Sequence, residues 1–469
     1  MRGMNGLCRW ICGLAALGWS GPALAHAADR GFVMLLPTGY YIAGGAAAVA
    51  ASFLVLALVP PAPLERLART RLVLARVPFD GRVLTSLVSF AIVCALLFAG
   101  VAGSRDPLSN PLPLVFWTVW WVGLTLAIGI FGNLWRWLEP WYGPYRAVAA
   151  LIPLPAAPFL LPARLGYLPA IVLFLAFAWF ELVYPSPDDP YRLAIVLTGY
   201  WLFNFAGMLL FGHAAWTGRV ECFSVFFSMI ARLSPFERGA DGMLSLRLPG
   251  AKAADAKPLP VSGALFLLLA LSTVSYDGLM RTFSWLGLIG VNPLEFPGRS
   301  AIMVENTLGL FAAFAVLSGL FLACVWLGES LAARRAGTRQ AAGALVWSIL
   351  PISMAYHFSH YLVSLVLNGQ YALAAISDPL AAGWNLFGTA GYHVVAGATA
   401  GAESAWLVWN LQAAAIIGGH VLAVAIAHVT AFRLHGDRRR AALAGLPLAL
   451  LMVGYTVFGL WLLSSPTGY

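Results

Sequence analysis

Residues 301–327 read AIMVENTLGLFAAFAVLSGLFLACVWL. One ionisable group, Glu305, interrupts a run long enough to cross the hydrocarbon core of a bilayer, which takes about 20 apolar residues. Nine further stretches of this kind are read as spans, over 38–59, 83–103, 112–131, 167–184, 193–214, 261–277, 342–366, 406–430 and 442–463. Of the 469 residues, 61% are hydrophobic and 10% are charged, more apolar surface than a soluble chain of this size can hide. The fold class is therefore an all-α integral membrane protein with ten transmembrane helices in a single polytopic domain, residues 26–469. The lipid bilayer is its first partner.

The first 25 residues, MRGMNGLCRWICGLAALGWSGPALA, have the form of a cleaved signal peptide: Arg2 and Arg9, a short apolar run, and the small-x-small site Ala23-Leu24-Ala25. With the mature N-terminus outside, the loops alternate, and twenty-one lysines and arginines fall on the inner side. Arg30, Arg105, Arg192, Arg281 and Arg299 fall on the outer side. That bias orients the chain in a bacterial inner membrane with both mature ends periplasmic. The net charge of +9 is spread over these short loops and marks topology, not nucleic-acid binding. Past the signal peptide, Cys94, Cys222 and Cys324 form no disulfide frame and no C-x-x-C metal pair.

One sizeable inner loop spans 215–260. Within it CFSVFFSMIARL reads as an interfacial helix, and RGADGMLSLRLPG carries the turn residues of a small hairpin. The stretch WRWLEPWYGPYR (135–146) reads as an aromatic and arginine anchor in the headgroup layer. No G-x-x-x-x-G-K-[ST] phosphate loop occurs, which disfavours an ATP-driven pump.

Ionisable side chains at membrane depth cost about 2.5–3.5 kcal/mol on insertion scales, so each is a functional candidate. Asp277 near the outer end of the sixth span, Glu305 about two turns into the seventh, and His357 and His360 in the outer half of the eighth fall at one depth. Glu181 ends the fourth span, and Asp378 and His393 lie in the following outer loop. His357 and His360 are about 60° apart on a helix. With Glu305 or Asp277 they suit zinc, iron or manganese, and such a metal would deliver a hydroxide. The plainer reading stands beside it: intramembrane histidines hydrogen-bond neighbouring helices, and Asp277 or Glu305 pairs with Arg281 or Asn306. His420 and His428, eight residues apart, cannot share one ion, and the adjacent Gly418-Gly419 marks close helix packing. A line of His360, His420 and His428 through the membrane is a candidate proton path. Signal cleavage would leave His26 as the terminal residue, whose amine and ring suit copper with a second histidine such as His393 or His360.

Several stretches together, ALAHAADRG, FGNLWRWLEPW, LAFAWFELVYPSPDDP, FSVFFSMIARLSPF, STVSYDGLMRTFSW, SHYLVSLVLNGQYALAAISDPLAAGWNLFGT and GGHVLAVAIAHVTA, resemble the bacterial membrane proteins called fenitrothion hydrolase. The likeness covers most of the mature chain and is one of whole segments, with no short signature motif. It implies an integral membrane component of an enzyme that hydrolyses the aryl ester of an organophosphorothioate, working with a second membrane subunit. The matching segments hold Glu181, Asp277, His360, Asp378, His420 and His428. His357 is less characteristic of the family, which favours His360 with carboxylates.

The expectation is a phosphotriester hydrolase, metal-assisted or base-assisted, acting on a hydrophobic small molecule at a periplasm-facing site. His360, Glu305 and Asp277 are its catalytic candidates, and GWNLFGTAGYH is expected to line the pocket. The rival readings are an ion-coupled transporter component and a copper-handling membrane protein using His26.

Overall fold

The computed structural model describes residues 38–58, 61–76, 80–151, 157–239, 241–295, 298–333, 336–397 and 401–467. The expected signal peptide, residues 1–25, and His26 lie outside the described residues. Ten apolar helices correspond to the ten expected spans: α1 Thr38–Leu58, α2 Arg82–Ala102, α3 Pro111–Phe131, α4 Leu168–Leu182, α5 Pro190–Phe211, α7 Val261–Met280, α8 Met303–Leu331, α9 Leu350–Ala375, α10 Ala402–His435 and α11 Arg438–Ser464. Among the described residues nine of these segments are long and apolar enough to cross a bilayer. The tenth, α4, is equally apolar but has 15 residues, about 22 Å of helix. The chain is thus a multi-pass helical membrane protein.

Helices α7 and α9 are central. Of the most apolar window of α7, 83% is buried against protein, compared with 11% for α1, and the first half of α9, from Leu350 to Ser359, is buried almost throughout. Helix α9 packs against α10 and α3, and α11 against α1, α8 and α10. With no water to drive association inside a bilayer, close approach of small residues holds such helices together. Gly419 on α10 shows this: a Cβ there would stand 2.8 Å from the carbonyl oxygen of Pro351 on α9, so only glycine permits the crossing. The neighbouring Gly418 has open space. Ser359 and Gln412 clamp the same pair of helices reciprocally, Ser359 Oγ donating to Gln412 O at 3.0 Å and Gln412 Nε2 to Ser359 O at 2.7 Å.

The expected hairpin forms as β2 (Phe236–Arg238) and β3 (Met243–Leu246). A third strand, β1 (Leu72–Arg76), pairs with β3 in antiparallel order β1-β3-β2. Arg247 beside β3 donates to the Ala68 carbonyl and pairs with Asp255, and Arg433 of α10 also reaches Asp255, at 3.0 Å. These contacts gather the arginine-rich loops at one end of the bundle, called here the sheet end.

Two interfacial expectations are corrected. The segment Cys222–Ile230 forms helix α6, but Cys222, Phe223, Val225, Phe226, Phe227, Met229 and Ile230 are all buried. Only the narrow face of Ser224 and Ser228 is open, Ser228 being exposed, and the aromatic remainder is placed in the core. Its start is capped by buried Glu221, which accepts from the backbone of Phe223 and Ser224 and from the Tyr200 hydroxyl. In the WRWLEPW segment Trp135, Glu139 and Trp141 are buried, whereas Arg136 and Leu138 are exposed, so only part of it is turned into the bundle. Glu139 pairs with Arg82 and stands 3.0 Å from His213 Nε2. The histidine is thus at ion-pair distance from Glu139, and its ring also packs against Tyr142 and Tyr145.

Candidate functional site

The site lies at the end opposite the sheet, where the last turns of α4 and α7 meet the middle of α9. Asp277, one turn before the end of α7, is 1% exposed. Its Oδ2 stands 2.6 Å from His360 Nε2 on α9, and its Oδ1 meets Arg281 Nη2 at 2.9 Å as an ion pair. Arg281 is four residues further on the same helix, so one helical turn aligns the guanidinium with the carboxylate. The His360 side chain keeps 23% of its surface accessible against 1% for Asp277. The carboxylate is therefore a buried orienter and the imidazole the member that can meet a second molecule.

Tyr361, the next residue on α9, extends the cluster. Its hydroxyl lies 3.0 Å from Asp277 Oδ2 and 2.8 Å from Glu181 Oε1 at the end of α4. Trp121 Nε1 on α3 donates to the same Glu181 oxygen at 2.9 Å, and Arg299 donates to the Glu181 carbonyl at 3.0 Å. One hydroxyl, with a single proton, lies between two carboxylates. Sequence reasoning missed Tyr361 and Trp121, although SHY places a phenol directly beside the histidine. Trp121 reaches Glu181 from a π-helical stretch, Leu114–Leu124, which widens α3. Such wide turns recur at functional sites.

His357 does not join His360. One turn earlier on α9, its ring packs edge-on against Trp121 at 5.2 Å, next to the Trp121 and Val122 backbone. His360 faces α7 instead. The two histidines are about 60° apart around the helix, and different neighbours claim them. His357 Nε2 and Ser353 Oγ, both buried and without a protein partner, border a cavity of about 20 Å³ that Glu181, Thr273 and Tyr361 also line. That volume suits a single water molecule.

The metal expectation built on His357, His360 and Glu305 is corrected. Glu305 is exposed on α8, and its neighbour Asn306 is the residue turned inward, accepting from Tyr276 at 3.2 Å and Trp285 at 3.0 Å. Adjacent helical residues differ by about 100°, enough to move Glu305 from the bundle to its outer surface. Among the described residues no three His, Cys, Asp or Glu side chains converge as a metal site.

The remaining candidates stand apart. Asp378 folds its own loop, accepting from the backbone of Ala382 and Gly383 at 2.9 Å each. His393 is exposed. His420 is buried; its Nδ1 lies 2.8 Å from Ile416 O one turn back, and its ring packs near Tyr356 and Tyr455. His428 is buried near the sheet end of α10. Neither is hydrogen-bonded to His360, so the expected histidine line does not form a continuous path among the described residues. GWNLFGTAGYH is largely exposed, with Trp384 at 46% and Phe387 at 69%, and lines no part of the Glu181 cavity.

No family model, no curated protein and no solved structure matches this chain.

Proposed function

We propose that this protein is a base-assisted hydrolase of lipophilic organophosphorothioate triesters, or the membrane subunit of one. The observation that carries the reading is the 2.6 Å contact between buried Asp277 and accessible His360, in segments that resemble the fenitrothion hydrolases. Asp277 fixes the imidazole tautomer with Nε2–H toward the carboxylate, which leaves Nδ1 free to accept a proton. His360 takes that proton from water. The hydroxide adds to phosphorus, and the nitrophenolate departs with the electrons of the P–O bond. The imidazolium returns its proton to solvent, and a dialkyl thiophosphate remains. Asp277 and Arg281 are positioning residues. A neutral, lipid-soluble substrate concentrates in the bilayer and reaches the bundle from the side. With the arginine-rich sheet end in the cytoplasm, as the charge bias indicates, the dyad lies toward the periplasm of a bacterial inner membrane. Among the described residues no three His, Cys, Asp or Glu side chains form a metal centre.

The test is nitrophenol release from fenitrothion by the purified protein in nanodiscs. Replacing His360 with Ala should lower the rate about 10²–10⁴-fold, the usual weight of a general base. No release by the wild type, alone or with a co-purifying subunit, or equal release by the variant, refutes the proposal.

The hydrogen-bonded chain Glu181–Tyr361–Asp277–His360 favours a second reading, an ion-coupled transporter component that moves protons through these groups. Solute uptake into vesicles that depends on a pH gradient, without hydrolysis, would select it.

A further inference from the structure

At the sheet end a cleft of about 840 Å³ opens between the three-stranded sheet, the end of α6 and the Gly132–Trp137 turn. Seven cationic side chains and four carboxylates line it. Some of the cations are answered. Arg71 lies 3.7 Å from Glu237, Arg136 lies 3.9 Å from Asp80, and Arg247 pairs with both Glu237 and Asp255. Arg76, Arg232 and Lys252 have no carboxylate at ion-pair distance among the described residues. Arg232 and Lys252 are nonetheless held in place. The Arg232 guanidinium sits 5.0 Å over the Trp347 ring, and Lys252 Nζ donates to the Phe236 carbonyl at 2.6 Å. Arg232 and Ser228 also border a second cavity of about 490 Å³, so the charged wall continues past the first.

Beside the excess cations the cleft has an aromatic wall. Phe131 stacks on Phe236 with centroids 6.1 Å apart, and Trp137 lies under Arg238 at 5.2 Å. The space is that of a small-molecule pocket, not of a single ion. Fixed cations beside aromatic faces match an anion attached to an organic body, and the charge-assisted bonds of arginine and lysine suit phosphate oxygens.

We propose that this cleft binds the phosphate group of an organic phosphate ester, held by Arg232, Lys252 and Arg76. A lipid headgroup and a soluble phosphate ester offer the same chemistry. This site is independent of the His360 cluster at the other end of the bundle.

The experiment uses the full chain in phosphatidylcholine nanodiscs. One arm titrates sn-glycerol 3-phosphate and inorganic pyrophosphate, and the other replaces part of the lipid with phosphatidylglycerol. Both are followed by thermal unfolding and by tryptophan fluorescence, to which Trp137 and Trp347 contribute. Stabilisation in the first arm identifies a soluble ester; stabilisation in the second alone identifies a headgroup. In either case the double variant Arg232→Gln, Lys252→Gln should weaken the response about tenfold or more, since each loses a charged hydrogen bond. Arg192→Gln, at the opposite end, should not. Arg76→Gln, altering an exposed strand residue, repeats the test should the double variant fold poorly. No response in either arm, or a response from the double and Arg76 variants equal to that of the wild type, overturns the proposal.

Discussion

Asp277 Oδ2 stands 2.6 Å from His360 Nε2, and the other oxygen of the same carboxylate faces Arg281 at 2.9 Å. A buried anion is thus shared between a fixed cation on its own helix and an imidazole on another. Removing the carboxylate leaves both partners uncompensated. Asp277→Ala should destabilise the protein by about 3–5 kcal/mol, the usual cost of breaking a buried pair. Asp277→Asn, which keeps the shape but not the charge, should be destabilised less than Asp277→Ala yet lose the His360-dependent rate. Thermal unfolding in detergent and turnover on the same sample separate the two effects.

Tyr361 bonds two carboxylates through one hydroxyl. Tyr361→Phe should cost about 1–3 kcal/mol through the acceptors it strands. The double variant Tyr361→Phe, Glu181→Gln should recover part of that loss, because the amide brings its own donors. A double-mutant cycle on unfolding free energy reads the coupling, and strict additivity would show that the contact carries none.

Glu305 lies on the outer surface of α8, and His393 in an exposed loop. Glu305→Gln and His393→Ala should each change stability by no more than about 0.5 kcal/mol and leave turnover intact. A large loss of turnover in Glu305→Gln would return Glu305 to the reacting centre and contradict the site described.

Glu139 is 2% exposed and answers both Arg82 and His213 at the sheet end. Glu139→Ala should lower stability by about 3–5 kcal/mol while sparing the distant His360 chemistry in whatever protein folds. The active fraction, titrated per folded molecule, checks this.

Burial, aided by the Arg232 and Arg247 guanidinium groups and opposed by Glu237, pushes the Lys252 amine down to about 8. An unfolded lysine titrates near about 10.4. Between these values the unfolded chain binds more protons than the folded one, so stability rises with pH from about 8 to about 10.4. Below about 8 both states are protonated and this contribution is constant. Acylation of Lys252 by an amine-reactive reagent, followed by peptide mass spectrometry, should increase steeply through pH 8. A rise delayed to pH 10 would contradict the burial of this group.

The ten helices were legible in the amino-acid sequence because hydropathy is a local property: a stretch such as 301–327 is apolar whatever it packs against. The hairpin at 236–246 was legible in its turn residues, and the close helix approach in Gly418-Gly419, although only Gly419 makes it. Asp277 and His360 were legible as ionisable groups at one depth. Depth comes from counting along a helix, whereas the direction a side chain faces depends on how the helix is rotated against its neighbours. That rotation is set by packing across the whole bundle, and only the tertiary structure decided it. It turned Asn306 inward and Glu305 outward, divided His357 from His360, and brought Tyr361 and Trp121 to Glu181. It also buried α6, whose aromatic residues fit a membrane surface and a protein interior equally well until partners on α3, α4 and α5 surround them.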